Sequence, residues 1–396
     1  MNTEIFKLKN SLLGFEFFIV CFGATVLVPL LTGIPTSVVL FTAGISTLMM
    51  HYFAKGKYGS PIVFLGSSFA YIAPILYIQE KWSMGAVFFS LGIAGLGKIL
   101  FSRLIKKVGN DFIVENLFPP VVSGTMIILI GLTLVNTGLD MASNDWLIAS
   151  ITLISLISFM SFTKGFTNLF SIILAVMVGY GFSLLTGNIE IGNFSILQLP
   201  QFSMPVVNFD AALYMLPFSL VPIAEHFGDI YAVSEATDNK YYKSPGMHRT
   251  MLIDGLGTML SLVGSVPNTT YSEGTATVNL LKINDAKITR NAGLWALAFS
   301  FLGVLSALLE SIPTAVIGGI MIILFGSIAT IGLKSMIKNK VNFDNHRNII
   351  VASIMLVFGL GNVSIWMFNG LGLAAILGVL LQFSFYLFDK FKKEWS

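Results

Sequence analysis

The feature that most narrows the possible folds is a succession of apolar runs, each near 20 residues long, recurring from residue 12 to residue 388. A run of that length crosses the hydrocarbon core of a bilayer as a helix. Twelve such segments are expected, near 11–31, 36–54, 84–105, 112–138, 145–163, 167–186, 211–236, 247–264, 289–309, 312–333, 346–366 and 369–389. With 55% hydrophobic residues, only 11% charged and a mean hydropathy of +0.82, the chain has more apolar surface than a water-soluble domain of its size can hide. The expected fold is an all-α polytopic membrane protein.

Two further segments, 61–79 and 266–282, are shorter and interrupted. Each opens on a proline, Pro61 or Pro267, and carries polar or small residues at bilayer depth: Gly66-Ser67-Ser68 in one, Asn268-Thr269-Thr270 in the other. They are expected to be broken spans, a short extended stretch followed by a half-helix, which brings the total to about fourteen crossings.

Charge placement supports that count, because Lys and Arg gather in cytoplasmic loops. Of the 23 Lys and Arg residues, Lys81 alone lies in an odd-numbered loop, and Lys98 is placed near the inner end of the fourth span. Both termini are therefore expected in the cytoplasm of a multi-pass protein of the cell (inner or plasma) membrane. Residues 1–10 are mixed in charge and precede no small-residue cleavage site, so the first span is expected to be retained. The net charge of +3 follows from loop asymmetry, and no basic run has the interleaved aromatics that bind nucleic acid. Cys21, the only cysteine, excludes an intrachain disulfide and a cysteine-based metal cluster.

An internal repeat organises the chain. Met126-Ile127-Ile128-Leu129-Ile130-Gly131 recurs as Met321-Ile322-Ile323-Leu324-Phe325-Gly326, each copy after a proline, and Phe22-Gly23 recurs as Phe227-Gly228. The broken spans take third place in each half. Seven spans is an odd number, so successive halves enter from opposite faces: two inverted seven-span repeats. Transporters built this way hold their solute between discontinuous helices at the bilayer midplane.

A half-helix that begins inside the membrane presents unpaired N–H groups and the positive end of its dipole. Ser67, Ser68 and Phe69 stand at one such start, and Tyr271, Ser272 and Glu273 at the other. Glu225, inside the apolar run 216–230, and Glu273 are ionisable groups at bilayer depth and hence candidates for function. Together these groups suit a planar solute with adjacent N–H and C=O groups, backbone N–H donating to its carbonyls and carboxylates accepting from its ring N–H. Asp229 lies one helical turn after Glu225, and two carboxylates so close favour a proton on one of them. His226 points about 100° away and is expected to be a structural hydrogen-bonding residue. Asp254 and Glu310 are expected to serve helix packing and the membrane interface.

Five separated motifs then carry a resemblance: Phe22-Gly23-Ala24-Thr25-Val26-Leu27-Val28-Pro29, Leu65-Gly66-Ser67-Ser68-Phe69-Ala70, Ala224-Glu225-His226-Phe227-Gly228, Pro245-Gly246-Met247-His248-Arg249 and Pro267-Asn268-Thr269-Thr270-Tyr271-Ser272-Glu273. The chain resembles the nucleobase/ascorbate transporter family over almost its whole length, most closely the bacterial uracil permeases. The resemblance implies a core domain in two parts, 1–107 (spans 1–4) and 201–309 (spans 8–11). It implies a gate domain in two parts, 108–200 (spans 5–7) and 310–396 (spans 12–14). It also implies symport of a nucleobase with a proton. The implied base contacts are Glu225, Glu273, the backbone N–H of Phe69 and Ser272, and the Phe69 ring, with Ser68 and Tyr271 beside them. Proton coupling falls to Glu225, Asp229 and Glu273, closure to Phe325, and a homodimer would pair through the gate domain.

The chain departs from the family pattern at Ser272, where Gly is common, at Gly274-Thr275-Ala276-Thr277, and at Asp229, where some members carry His. These positions bear on which base is carried, uracil or a purine such as xanthine, and on whether H⁺ or Na⁺ drives uptake. No organic cofactor and no resident metal are expected. Two other functional classes make different demands on the residues. A hydrolase would need Ser67 or Ser68 with His226, or Asp229 with Asp254, and neither set has a third supporting group. A channel needs a continuous polar lining, whereas the polar groups here cluster at two half-helices.

Overall fold

The computed structural model describes residues 2–164, 168, 170–187, 189, 195–270, 272–280, 282–361, 363–366 and 368–394. The chain opens with α1 (Asn2–Thr32) and α2 (Thr36–Phe53), then the strand β1 (Gly66–Ser67), a 3-10 turn (Phe69–Tyr71) and the half-helix α3 (Ile72–Lys81). Next come α4 (Met84–Val108), α5 (Asn110–Asn116), α6 (Pro120–Thr133), α7 (Val135–Ser143), α8 (Trp146–Phe162) and α9 (Ser171–Leu185). In the second half α10 (Phe209–Met215) passes through a 3-10 turn (Leu216–Ser219) into α11 (Leu220–Ala236). Then follow α12 (Met247–Met259), the strand β2 (Asn268–Thr269), the half-helix α13 (Ser272–Leu280), α14 (Lys287–Ser300) and α15 (Gly303–Glu310). The chain closes with α16 (Thr314–Lys338), α17 (His346–Leu360), the strands β3 (Ser364–Ile365) and β4 (Phe368–Asn369), and α18 (Gly370–Glu394).

Among the described residues, α1, α2, α4, α16 and α18, and α6 and α7 taken together (Pro120–Ser143), are long and apolar enough to cross a membrane, and α8, α9 and α17 are apolar but shorter. Several segments expected as single helices are interrupted, each for a local reason. The 112–138 segment is divided into α5, α6 and α7; Pro119 and Pro120 end α5 by disfavouring helical geometry before them, and Pro120 then starts α6 at its first turn. The 289–309 segment breaks at Leu302, where the backbone is extended. Chain from before α10 fills that gap: Gln198 N donates to the Phe301 carbonyl at 2.9 Å and Gly303 N to that of Ile196 at 3.1 Å. Pro217 marks the 3-10 turn between α10 and α11. Where helices start cleanly, caps are visible: the Ser83 hydroxyl accepts from Ala86 N, and Asp145 Oδ1 from Leu147 N and Ile148 N.

The helices pack in two groups. In one, α4 packs on α12, α2 on α14, α1 on α14 and α11 on α13; in the other, α16 packs on α6, α7 and α8, and α17 on α18 and α6. Span 2 against span 11 and span 4 against span 9 are the same pairing once the halves are exchanged, as an inverted repeat requires. Glycine makes both crossings close. A Cβ on Gly44 would stand 2.7 Å from the Gly293 carbonyl oxygen, and one on Gly95 2.6 Å from Met259 N. Membrane helices without a hydrophobic drive between them gain from such contact. Outside the core, apolar side chains such as Phe162, Leu185, Met177 and Val357 are largely exposed, as suits a lipid-facing surface.

Candidate functional site

The two broken spans meet. β1 pairs antiparallel with β2, Gly66 opposite Thr269 and Ser67 opposite Asn268, and Ser68 N donates to the Pro267 carbonyl at 3.1 Å. Backbone that leaves helical geometry in lipid must find partners inside the protein, and here each repeat supplies them to the other. Neighbouring side chains complete the support. Ser67 Oγ donates to the Thr25 carbonyl at 2.6 Å, Leu65 N donates to Thr47 Oγ1 at 3.0 Å, and the Thr42 and Ser265 hydroxyls are 2.6 Å apart. Gly257 admits the close approach of β2: a Cβ there would lie 3.2 Å from the Asn268 carbonyl oxygen and 3.0 Å from Ser46 Oγ.

Phe69 begins the 3-10 turn after β1 and is half-buried, while Ser68 caps that turn by position and is buried, with no hydrogen bond to its hydroxyl among the described residues. The turn packs against residues 216–219, immediately before α11, and Tyr71 Oη donates to Ser219 Oγ at 3.2 Å. Glu225 is half-buried on α11, and Asp229, one turn later, is buried. α11 in turn packs against α13, whose first two residues are Ser272 and Glu273. The fold therefore brings Phe69, Glu225, Asp229 and the start of the second half-helix into one packed group. Only the backbone of Ser272 and Glu273 is described, and Tyr271 lies outside the described residues. Phe325 belongs to the other group; its side chain is buried, and a Cβ on Gly138 of α7 would stand 3.3 Å from its ring.

Beneath this arrangement lies a polar network that hydropathy reading placed differently. Lys98, placed by sequence near the inner end of the fourth span, is fully buried within α4. Its Nζ donates to Asp254 Oδ1 at 2.7 Å and to Thr258 Oγ1 at 3.1 Å. Asp254 Oδ2 accepts from Thr269 Oγ1 at 2.7 Å and Thr270 N at 3.2 Å, and lies 3.3 Å from His226 Nδ1. His226 is fully buried, its two nitrogens 3.2 Å from Thr270 Oγ1 and 2.9 Å from Thr250 Oγ1, the structural role expected of it. Asp254 is thus the packing residue it was expected to be, but as a hub at the exit of β2. The only one-dimensional signal was the pairing of one buried acid with one buried base, on helices 156 residues apart.

The two packed groups also touch away from this network. Tyr214 Oη donates to Asn369 Oδ1 at 2.7 Å, joining α10 to β4, and the Tyr77 and Tyr214 rings stack with centroids 4.5 Å apart. Two cavities of about 320 Å³ each flank this tie, and Tyr77, Tyr214 and Asn369 line both.

Comparison with known proteins accords with the geometry. Residues 8–368 match a family model described as a permease family. A probable uracil permease of Haemophilus influenzae is 40% identical, over 95% of this chain and 94% of its own. Uracil permeases of Bacillus subtilis and of Escherichia coli K12 are 34% and 31% identical, over 91% and 98% of this chain and 89% and 94% of theirs. Among solved structures, the transmembrane domain of the cyanobacterial bicarbonate transporter BicA superposes with a TM-score of 0.65 at 18% identity, over 95% of this chain and 96% of that one. The structure of SLC26A9 superposes at 0.72 and 12% identity, over 96% of this chain and 66% of that one. At those identities the likeness is one of fold, the inverted-repeat transporter fold, in a multi-pass membrane protein. The relatives are named as permeases, not as enzymes.

Proposed function

Since the chain belongs to the permease family, we propose that it imports a nucleobase, uracil first among them, by proton symport with alternating access. The observation that carries this reading is the meeting of the two broken spans beside Glu225. Each half-helix start offers backbone N–H groups, from Phe69 and from Ser272, to the carbonyl oxygens of a base. Glu225 and Glu273 accept from its ring N–H groups, and the Phe69 ring lies beside its face. Relatives named as uracil permeases support this base over a purine.

A carboxylate in a low-dielectric interior is costly to carry in charged form, so a proton taken by Glu225, with Asp229 one turn away, lets the loaded site move as a neutral unit. The two packed groups are the parts that shift relative to one another. The one holding the broken spans carries base and proton past the other, Phe325 belonging to the stationary side. In such a symport, base influx is driven by protons moving inward down their gradient.

The test is uptake of radiolabelled uracil into proteoliposomes under pH and Na⁺ gradients imposed in turn, with xanthine, adenine, guanine and ascorbate as competitors. Uracil accumulation driven by an inward proton gradient, and lost in Glu225→Gln, is the expected result. Wild-type accumulation by Glu225→Gln would remove Glu225 from the coupling step, and preferential competition by xanthine would transfer the site to purines.

A further inference from the structure

The fourth span carries a cation at depth for which the uptake reading has no use. Lys98 is fully buried, and a buried ammonium is tolerated only when its charge and three donors are met. Around its Nζ stand a carboxylate oxygen of Asp254 at 2.7 Å, the Thr258 hydroxyl at 3.1 Å and the face of Tyr71, with the ring centroid 5.9 Å away. A carboxylate, a hydroxyl and an aromatic face are also what a small monovalent cation from solution would select.

The other Asp254 oxygen holds the end of β2 through Thr269 and Thr270 and lies beside His226. Those residues precede the second half-helix directly. That oxygen is thus needed as an acceptor where it stands, and an uncompensated buried carboxylate there would be strongly destabilising. Lys98 comes from the first repeat and Asp254 from the second, so the pair joins the repeats just where their broken spans cross. Glu225 also lies within Coulombic reach of the same ammonium.

We propose that Lys98 is a built-in cation: it fills, with its own side chain, the position at which a Na⁺ would otherwise balance Asp254, so that residues 268–270 are held for substrate and uptake draws on no Na⁺. Lys98 acts through Asp254 and is a positioning residue. The inference deepens the uptake reading above and rests on it for its transport measurement alone.

Lys98→Ala removes the ammonium and leaves room for a small solute. In proteoliposomes without Na⁺, this variant should take up uracil at least tenfold more slowly than wild type. Ethylammonium or Na⁺ should restore its rate severalfold, whereas ethanol, a neutral molecule of similar size, should not, and wild type should respond to none of them. The double variant Lys98→Met/Asp254→Asn removes both charges while keeping a carbonyl oxygen for Thr269 and Thr270, and should retain at least half the wild-type rate. Full uptake by Lys98→Ala without added cation would overturn the inference, and so would a double variant as slow as the single one. Thermal unfolding of the purified variants is measured alongside, because it needs no substrate. Ethylammonium should raise the unfolding temperature of Lys98→Ala and leave wild type unmoved; equal responses would refute the cation site. A wild type that carries no uracil would sink the uptake reading and leave this stability measurement to decide on Lys98.

Discussion

Replacing Thr269 by Val isolates the contribution of one hydrogen bond to the meeting of the broken spans. The two side chains are close in volume and both β-branched, so strand geometry is kept and no cavity opens. What disappears is the hydroxyl that donates to Asp254 Oδ2 at 2.7 Å. Thr270 N at 3.2 Å and His226 Nδ1 at 3.3 Å remain beside that oxygen, so the carboxylate is weakened but not abandoned. A hydrogen bond to a charged group contributes about 1.5–3 kcal/mol, and that range is the expected cost. Thr32→Val serves as the comparison. Thr32 is equally buried, but its hydroxyl donates at 2.9 Å to the Val28 carbonyl of its own helix, which already serves the backbone ladder, and the expected cost is under about 0.5 kcal/mol. Apparent unfolding temperatures in one detergent, read by intrinsic fluorescence at one scan rate, should fall by several degrees for Thr269→Val and by about one degree or less for Thr32→Val. Equal shifts would mean that Asp254 is not the hub of the crossing.

Gly95→Val should destabilise the α4–α12 crossing by about 3 kcal/mol, because a Cβ there meets backbone 2.6 Å away; Gly181→Ala, where no described residue lies within 4 Å, should stay within about 1 kcal/mol of wild type, and matching folded yields from the two would refute the packing argument. Tyr214→Phe removes the 2.7 Å bond to Asn369 between the two packed groups, a neutral bond of about 0.5–1.5 kcal/mol. If those groups separate during transport, a cysteine placed at Asn136, which lines the adjoining cavity, should react roughly two- to tenfold faster with a membrane-impermeant thiol reagent in the Tyr214→Phe background, and an unchanged rate would show the tie to be passive. The Arg347–Asp389 pair is bidentate at 2.6 and 2.8 Å but substantially exposed; Arg347→Ala should cost under about 1 kcal/mol in thermal unfolding, less at high salt, and a larger loss would reveal burial against a partner.

The parts of this fold that sequence revealed are those written as local pattern. A proline followed by small polar residues inside an apolar run marks a broken span, and both Pro61 and Pro267 lead into extended strands. The parity of Lys and Arg bears on the number of crossings without any knowledge of packing. Lys98 defeats that approach, since a loop-charge rule treats every lysine as a boundary marker, and its counter-charge lies on a helix from the other half. The break at Leu302 was hidden for a similar reason: residues 292–309 are apolar but for Ser300 and Ser306, and what interrupts them is a strand-like stretch near residue 197 hydrogen-bonding into the gap. Sequence marks Asp254 as a packing residue and His226 as a structural hydrogen-bonding one, but their geometry requires Thr250, Thr269 and Thr270, whose hydroxyls carry little hydropathy signal.

The pairing of Gly66 and Ser67 with residues 268 and 269 also imposes an order on biogenesis. The partners of the first broken span emerge from the ribosome about 200 residues later, roughly 10 to 40 s at ordinary rates of synthesis. Through that interval the membrane holds a nascent half-protein whose extended stretch has its backbone groups unmatched, so this segment must wait in a polar setting, at the translocon or the bilayer surface, until its counterpart arrives. Insertion of this transporter is therefore a post-assembly event at its centre, and a chain truncated between the repeats should be recognised by quality-control proteases however apolar its completed helices are.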